Sequence, residues 1–113
     1  MFDSGERSAT LTTDEVFELL SDADRRCALV VLRRADGAVS LGELASATVA
    51  IAEDRDPEGV ADDERERTAT ALHHRHLPRL AEAGVVDYDP AESRVELTDA
   101  AADLDPVFRM LSE

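Results

Sequence analysis

The sequence predicts a mainly α-helical domain with a small β-hairpin, and three observations point to it. Apolar residues recur at helical spacing in four successive segments, most of them opened by a polar capping pair. Gly84 stops the fourth segment. Two short runs, Val85-Val86-Asp87 and Arg94-Val95-Glu96-Leu97, then flank a turn at Asp89-Pro90. Helix, glycine stop, strand, turn, strand is the skeleton of a recognition helix running into a β-wing. The expected order is α-α-β-α-α-β-β plus a C-terminal helix, a winged helix-turn-helix.

Residues 1–10 are polar and small and are expected to form a flexible N-terminus. Thr12 with Glu15 is a capping-box pair, and Val16, Phe17, Leu19 and Leu20 supply the apolar face of a short first helix. Ser21 with Asp24 repeats the signal for a second helix, whose Ala28, Leu29, Val31 and Leu32 point inward until Asp36-Gly37 ends it. Val39 supplies a minimal strand. Ser40 with Glu43 opens a third helix carrying Leu41, Leu44, Ala45, Thr48 and Val49 on one stripe. Residues 53–64 hold seven acids, one arginine, Pro57 and Gly59, a hydrophilic connector longer than the tight turn of a minimal helix-turn-helix.

The fourth helix is expected from about Asp63 to Ala83. At the α-helical step, Ala69, Leu72, His73, His76 and Leu80 form a core-facing stripe. Arg67, Thr70, Ala71, His74 and Pro78 fall on the opposite side, with Arg75 at its edge. Pro78 removes a backbone donor and should kink the helix. Thr98 caps a last helical stretch that Asp105-Pro106 restarts in N-cap and N1 form. Residues 11–99 thus make the winged domain. Residues 100–113 carry Leu104, Val107, Phe108 and Leu111 at helical spacing, which either cover their own core or pair with a second copy. Dimerisation through this stripe is the expectation here, a closed isologous pair being the commonest oligomer.

Composition sets the setting. The 113 residues fit one domain, with 26 Asp or Glu against 12 basic residues, a formal charge of −14. All 12 are arginine; lysine is absent. Such a balance predicts repulsion from nucleic acid in ordinary cytoplasm. In molar salt the Debye length falls to about 3 Å, and diffuse repulsion largely vanishes. Dense carboxylates, few aromatics and no lysine favour a salt-adapted protein. The single cysteine, Cys27, excludes an intrachain disulfide and is expected as a small buried residue. With no signal segment and no long apolar run, a cytoplasmic protein without membrane attachment is expected.

Other chemistries find little support. Asp54-x-Asp56-x-Glu58-Gly59 copies the first half of a calcium loop, but Arg65 stands where the bidentate glutamate belongs, so a solvated acidic loop is expected. His73 and His76 could share a face, yet the sequence specifies no third ligand. The expectation is core packing for one or two histidines and an outward His74, with no metal. No glycine-rich phosphate loop or nucleophile elbow occurs, so neither an enzyme, a cofactor nor a small-molecule substrate is expected.

The run His76-Leu77-Pro78-Arg79-Leu80-Ala81-Glu82-Ala83-Gly84-Val85-Val86 resembles the recognition-helix end and first wing strand of metal-sensor-type winged-helix regulators. With Asp14-Glu15-Val16-Phe17-Glu18-Leu19-Leu20-Ser21, the span from Leu11 to Asp99 is more similar to a family of small, largely uncharacterised haloarchaeal winged-helix domains. The resemblance implies a DNA-binding fold with Arg67, Thr70, Ala71, His74 and Arg75 on the groove-facing side. The metal sensors' cysteines have no counterpart, so thiolate sensing does not carry over.

Residues 65–79 hold four arginines and one glutamate, a local +3 between a connector of −6 and a wing carrying five acids against Arg94. The expected DNA contacts are Arg65, Arg67, Thr70, Ala71, His74, Arg75 and Arg79. The expected function is sequence-specific binding of double-stranded DNA by a transcriptional regulator working in high salt. The alternative is a winged-helix module for protein–protein contact.

Overall fold

The computed structural model describes residues 11–112, with side chains through Met110. The expected flexible segment 1–10 and the Leu111 side chain lie outside the described residues. Helix α1 (Thr13–Leu19) opens on the expected capping box: Thr12 Oγ1 accepts the Glu15 N–H at 3.1 Å, and the Glu15 carboxylate accepts the Thr12 N–H at 2.8 Å. Val16, Leu19 and Leu20 are buried. Phe17 departs from the expected apolar face and is 48% exposed. A two-turn helix buries one stripe, and Phe17 stands one step around from Val16.

Helix α2 (Ala23–Arg34) is capped by Asp22 rather than Ser21. Asp22 Oδ1 accepts the N–H groups of Asp24 and Arg25 at 2.8 and 3.2 Å. Ser21 instead donates its hydroxyl to the Glu18 carbonyl at 2.7 Å and closes α1. The α1–α2 turn therefore uses both residues, one for each helix end. Ala28, Leu29 and Leu32 are buried, whereas Val31 and Cys27 are only partly so. Helix α3 (Leu41–Glu53) starts on the Ser40–Glu43 box and buries Leu44, Ala45, Thr48 and Val49.

The acidic connector is structured. Asp54 takes the left-handed conformation that ends α3, and Asp56 caps a short 3-10 turn, Pro57–Gly59. Arg55 pairs with Glu53 at 3.1 Å and Glu64 at 2.6 Å, drawing the connector onto the start of the next helix. Glu64 also accepts the Ala61 N–H at 2.9 Å, so a carboxylate does the capping that the Ala61 side chain cannot.

Helix α4 (Asp62–Ala71), a π turn (Leu72–His76) and helix α5 (Leu77–Glu82) follow without a break. Ahead of Pro78, where a kink is expected, the helix widens into this π turn: the Leu77 N–H reaches back five residues to the Leu72 carbonyl. A π turn advances each residue by less than the α-helical step. His76 and the next residue, Leu77, consequently both turn inward beside Leu72 and Leu80, and all four are at most 2% exposed. Gly84, at φ +81°, ends α5 in a Schellman motif, with Gly84 N–H to the Ala81 carbonyl and Val85 N–H to the Leu80 carbonyl, both 2.9 Å.

That motif uses Val85, so strand β1 (Val86–Asp89) starts one residue later than expected. It pairs antiparallel with β2 (Arg94–Leu97), Tyr88 opposite Val95. The turn closes through Ser93 N–H to the Pro90 carbonyl at 3.2 Å, with Ser93 at φ +50°. Val39 supplies the expected minimal strand, exchanging two 2.9 Å hydrogen bonds with Val95. Thr98 caps the 3-10 stretch Asp99–Leu104, which passes into α6 (Asp105–Ser112) with Asp105 already helical rather than acting as a cap.

Leu104 and Phe108 are buried in the chain's own core, beside Leu29, Leu97 and Ala101, and Val107 packs partly against it. Arg33 ties this segment down through Asp105 and by lying 4.8 Å over the Phe108 ring. The stripe expected to bind a second copy thus folds back on α2. The whole is a mainly α fold with an antiparallel hairpin after its helical core, a winged-helix-like arrangement.

Candidate nucleic-acid interface

Thr70, His74 and Arg75 are exposed and Ala71 is half-exposed on the outward side of α4 and its π turn. With Asp63, Glu66 and Arg67 they line one shallow depression. The structure therefore brings together Arg67, Thr70, Ala71, His74 and Arg75, five of the seven residues expected to contact DNA. Arg65 and Arg79 stand apart from it. Arg65 pairs with Asp62 one turn earlier, and Arg79 pairs with Glu18 of α1. Long arginines beside dense carboxylates find local partners first, which a count of charges along the helix does not register.

The arginines inside the depression differ as well. Arg67 lies 3.5 Å from Asp63, in an exposed pair of the kind worth about 0.5 kcal/mol or less. Arg75 makes no carboxylate contact among the described residues. Its guanidinium lies 3.4 Å from His76 Nε2, and it has no other polar partner among the described residues.

Beneath this face sits a buried polar cluster that the sequence reading did not find. Arg25, 6% exposed, donates to the Leu19 carbonyl at 2.9 Å and the Glu18 carbonyl at 3.0 Å, and reaches His76 Nδ1 at 3.4 Å. His76 Nε2 lies 3.9 Å from Asp22 Oδ1. Both ring nitrogens thus face guanidinium donors, and a neutral imidazole accepts at only one of them, so the tautomer decides whether Arg25 at Nδ1 or Arg75 at Nε2 is the donor. Burial holds the His76 pKa below its ordinary value; Asp22 and Asp24 act against this, and Arg25 and Arg75 add to it. The α1–α2 turn is thereby joined to the π turn that carries His74 and Arg75.

Asp22, Asp24 and His76 place ligand atoms within 4.8 Å of one another. Asp22 Oδ1 is already engaged by two backbone N–H groups, and each ring nitrogen of His76 faces a guanidinium. A cation there would meet Arg25 and Arg75 at close range. In the calcium-like loop, Asp54 and Asp56 serve as helix caps.

The wing is held to the helix by His73. Its Nδ1 lies 2.7 Å from the Tyr88 hydroxyl, and its ring meets Tyr88 and His74 edge-on at 5.8 and 4.8 Å. Burial raises the Tyr88 pKa. At the other end of the hairpin, Ser93 Oγ accepts the Leu41 N–H at 3.0 Å, fixing the turn to the start of α3. Within the wing, Asp87 stands opposite Glu96, a like-charge pair, while Asp89 faces Arg94.

Among the described residues no helix is long and apolar enough to cross a membrane. No curated protein and no solved structure matches the chain. One family profile does, over residues 17–96, a span running from α1 through β2 and including the whole outward face just described. The chain belongs to that family, described as Domain of unknown function (DUF7344).

Proposed function

We propose that this protein binds double-stranded DNA through the outward face of α4 and its π turn, as a sequence-specific transcriptional regulator working in high salt. The observation that carries the reading is Arg75. It projects beside His74, Thr70 and Ala71 from a helix that a wing follows, and no carboxylate holds it among the described residues. A guanidinium with free donors suits guanine edges or phosphate. The acidic flanks demand the high-salt setting, where repulsion is short-ranged and base contacts replace counterion release as the source of affinity. The protein acts by binding rather than by catalysis, in the cytoplasm. Two copies acting together would supply the avidity that weak phosphate contacts do not.

Titrating the full-length protein with a random-sequence duplex pool between about 0.5 and 3 M KCl tests the reading. Saturable binding that Arg75→Ala weakens supports it; no binding at any salt sinks it. A second reading, a winged-helix module that contacts protein, is favoured by the acidic wing and by the carboxylate partners of Arg65, Arg67 and Arg79. On that reading, duplexes are not retained at any salt concentration.

A further inference from the structure

We infer that the Thr70–Ala71 depression reads the 5-methyl group of thymine in the major groove, making it a specificity-determining subsite. The inference rests on the DNA-binding reading above. The depression's lining includes exposed Thr70 and half-exposed Ala71, each bearing a methyl group, together with the longer Arg67, His74 and Arg75. Small side chains between long ones leave a recess where a base substituent can enter, and Ala and Thr methyls are the apolar contacts that suit a thymine methyl. Asp63 and Glu66 close the N-terminal end of the recess. Their carboxylates disfavour a phosphate in direct contact with that end. Arg75 flanks the recess with a fork that matches guanine O6 and N7, while Arg67 is paired with Asp63.

The surrounding charge makes this contact more useful. In a protein of formal charge −14, phosphate contacts are few and weaken as salt rises. A methyl–methyl contact is not screened, so its share of the discrimination persists where electrostatic readout fades.

Two random-sequence duplex pools, one built with thymidine and one with deoxyuridine, differ only by that methyl. Full-length protein should bind the thymidine pool preferentially. Each selected duplex should bind about threefold to fourfold more weakly per contacted thymine when remade with deoxyuridine, the scale of one methyl's transfer from water. Thr70→Ser removes the methyl and should bring the ratio toward one. Thr70→Val keeps a methyl in place and should preserve it. The ratio should hold at every KCl concentration at which binding is measurable. Equal binding of the two pools by wild type overturns the methyl reading and leaves DNA binding standing. Failure to bind either pool overturns both, and it is the outcome expected if the depression instead seats a protein.

Discussion

Arg25 and His76 show how single residues set the candidate interface, since both are polar, buried and shared between the α1–α2 turn and the π turn. His76 gives a pH prediction. Burial lowers its pKa from the ordinary value of 6.5, so as pH falls the unfolded chain takes the proton first. Its contribution is complete above pH about 6.5 and is lost as pH drops toward the lower folded value. Asp22 and Glu64 are lowered too, and their losses come at more acid pH, below about 4.5. Between pH 7 and pH 5 the urea midpoint of the wild type should therefore fall, and that of His76→Gln should fall less. Equal slopes would remove His76 as the cause. Gly84 gives a second prediction. At φ +81°, with nothing within 4 Å of a built Cβ, Gly84→Ala should cost about 1 kcal/mol in chemical denaturation through backbone strain alone. A neutral result would mean that the α5 cap rearranges freely.

At the scale of elements, the legible parts were those written in local chemistry. Two capping boxes, the Gly84 stop and the hairpin all follow from neighbouring residues competing for the same backbone groups. The misreadings came from non-local choices. Ser21 is the expected cap of α2, but the α1–α2 turn gives that place to Asp22 and uses Ser21 to close α1. Leu77 lay off the α-helical stripe until the π turn rotated it inward. Arg25 carried a usable signal, since it precedes Ala28, Leu29 and Leu32 at core spacing, and a basic residue there implies buried partners. Those partners, Glu18 and Leu19 carbonyls, could not be named from spacing. Helical geometry anticipated that Arg67, Thr70, Ala71, His74 and Arg75 share one outward face, whereas the pairing of Arg65 and Arg79 depended on where Asp62 and Glu18 ended up. Leu72→Ala should cost about 2–5 kcal/mol, because Leu72 is fully buried where α4 passes into the π turn. A loss under 1 kcal/mol would mean that this turn repacks.

For the whole molecule, the C-terminal segment and the charge distribution decide how the fold could act. The Leu104–Phe108 stripe is amphipathic and gave no sequence basis for choosing between its own core and a second copy. The Arg33 contacts to Asp105 and Phe108 favour its own core. Phe108→Ala should accordingly destabilise the chain by about 3 kcal/mol or more, independent of protein concentration. A midpoint that instead tracks concentration would return the stripe to an intermolecular role. Dimerisation through other surfaces is a separate matter, and the exposed Phe17 and Met110 are the apolar side chains to vary for it. The central claim is that a net-acidic molecule presents, among the described residues, one usable cationic anchor, Arg75, on the outward face of α4 and its π turn. The most direct test is duplex titration of wild type and Arg75→Ala side by side in about 1 M KCl, with melting temperatures measured on the same samples. Saturable binding by wild type, about tenfold or more weaker in Arg75→Ala at unchanged melting temperature, is the predicted result. Undiminished binding by the variant, or none by the wild type, would contradict it.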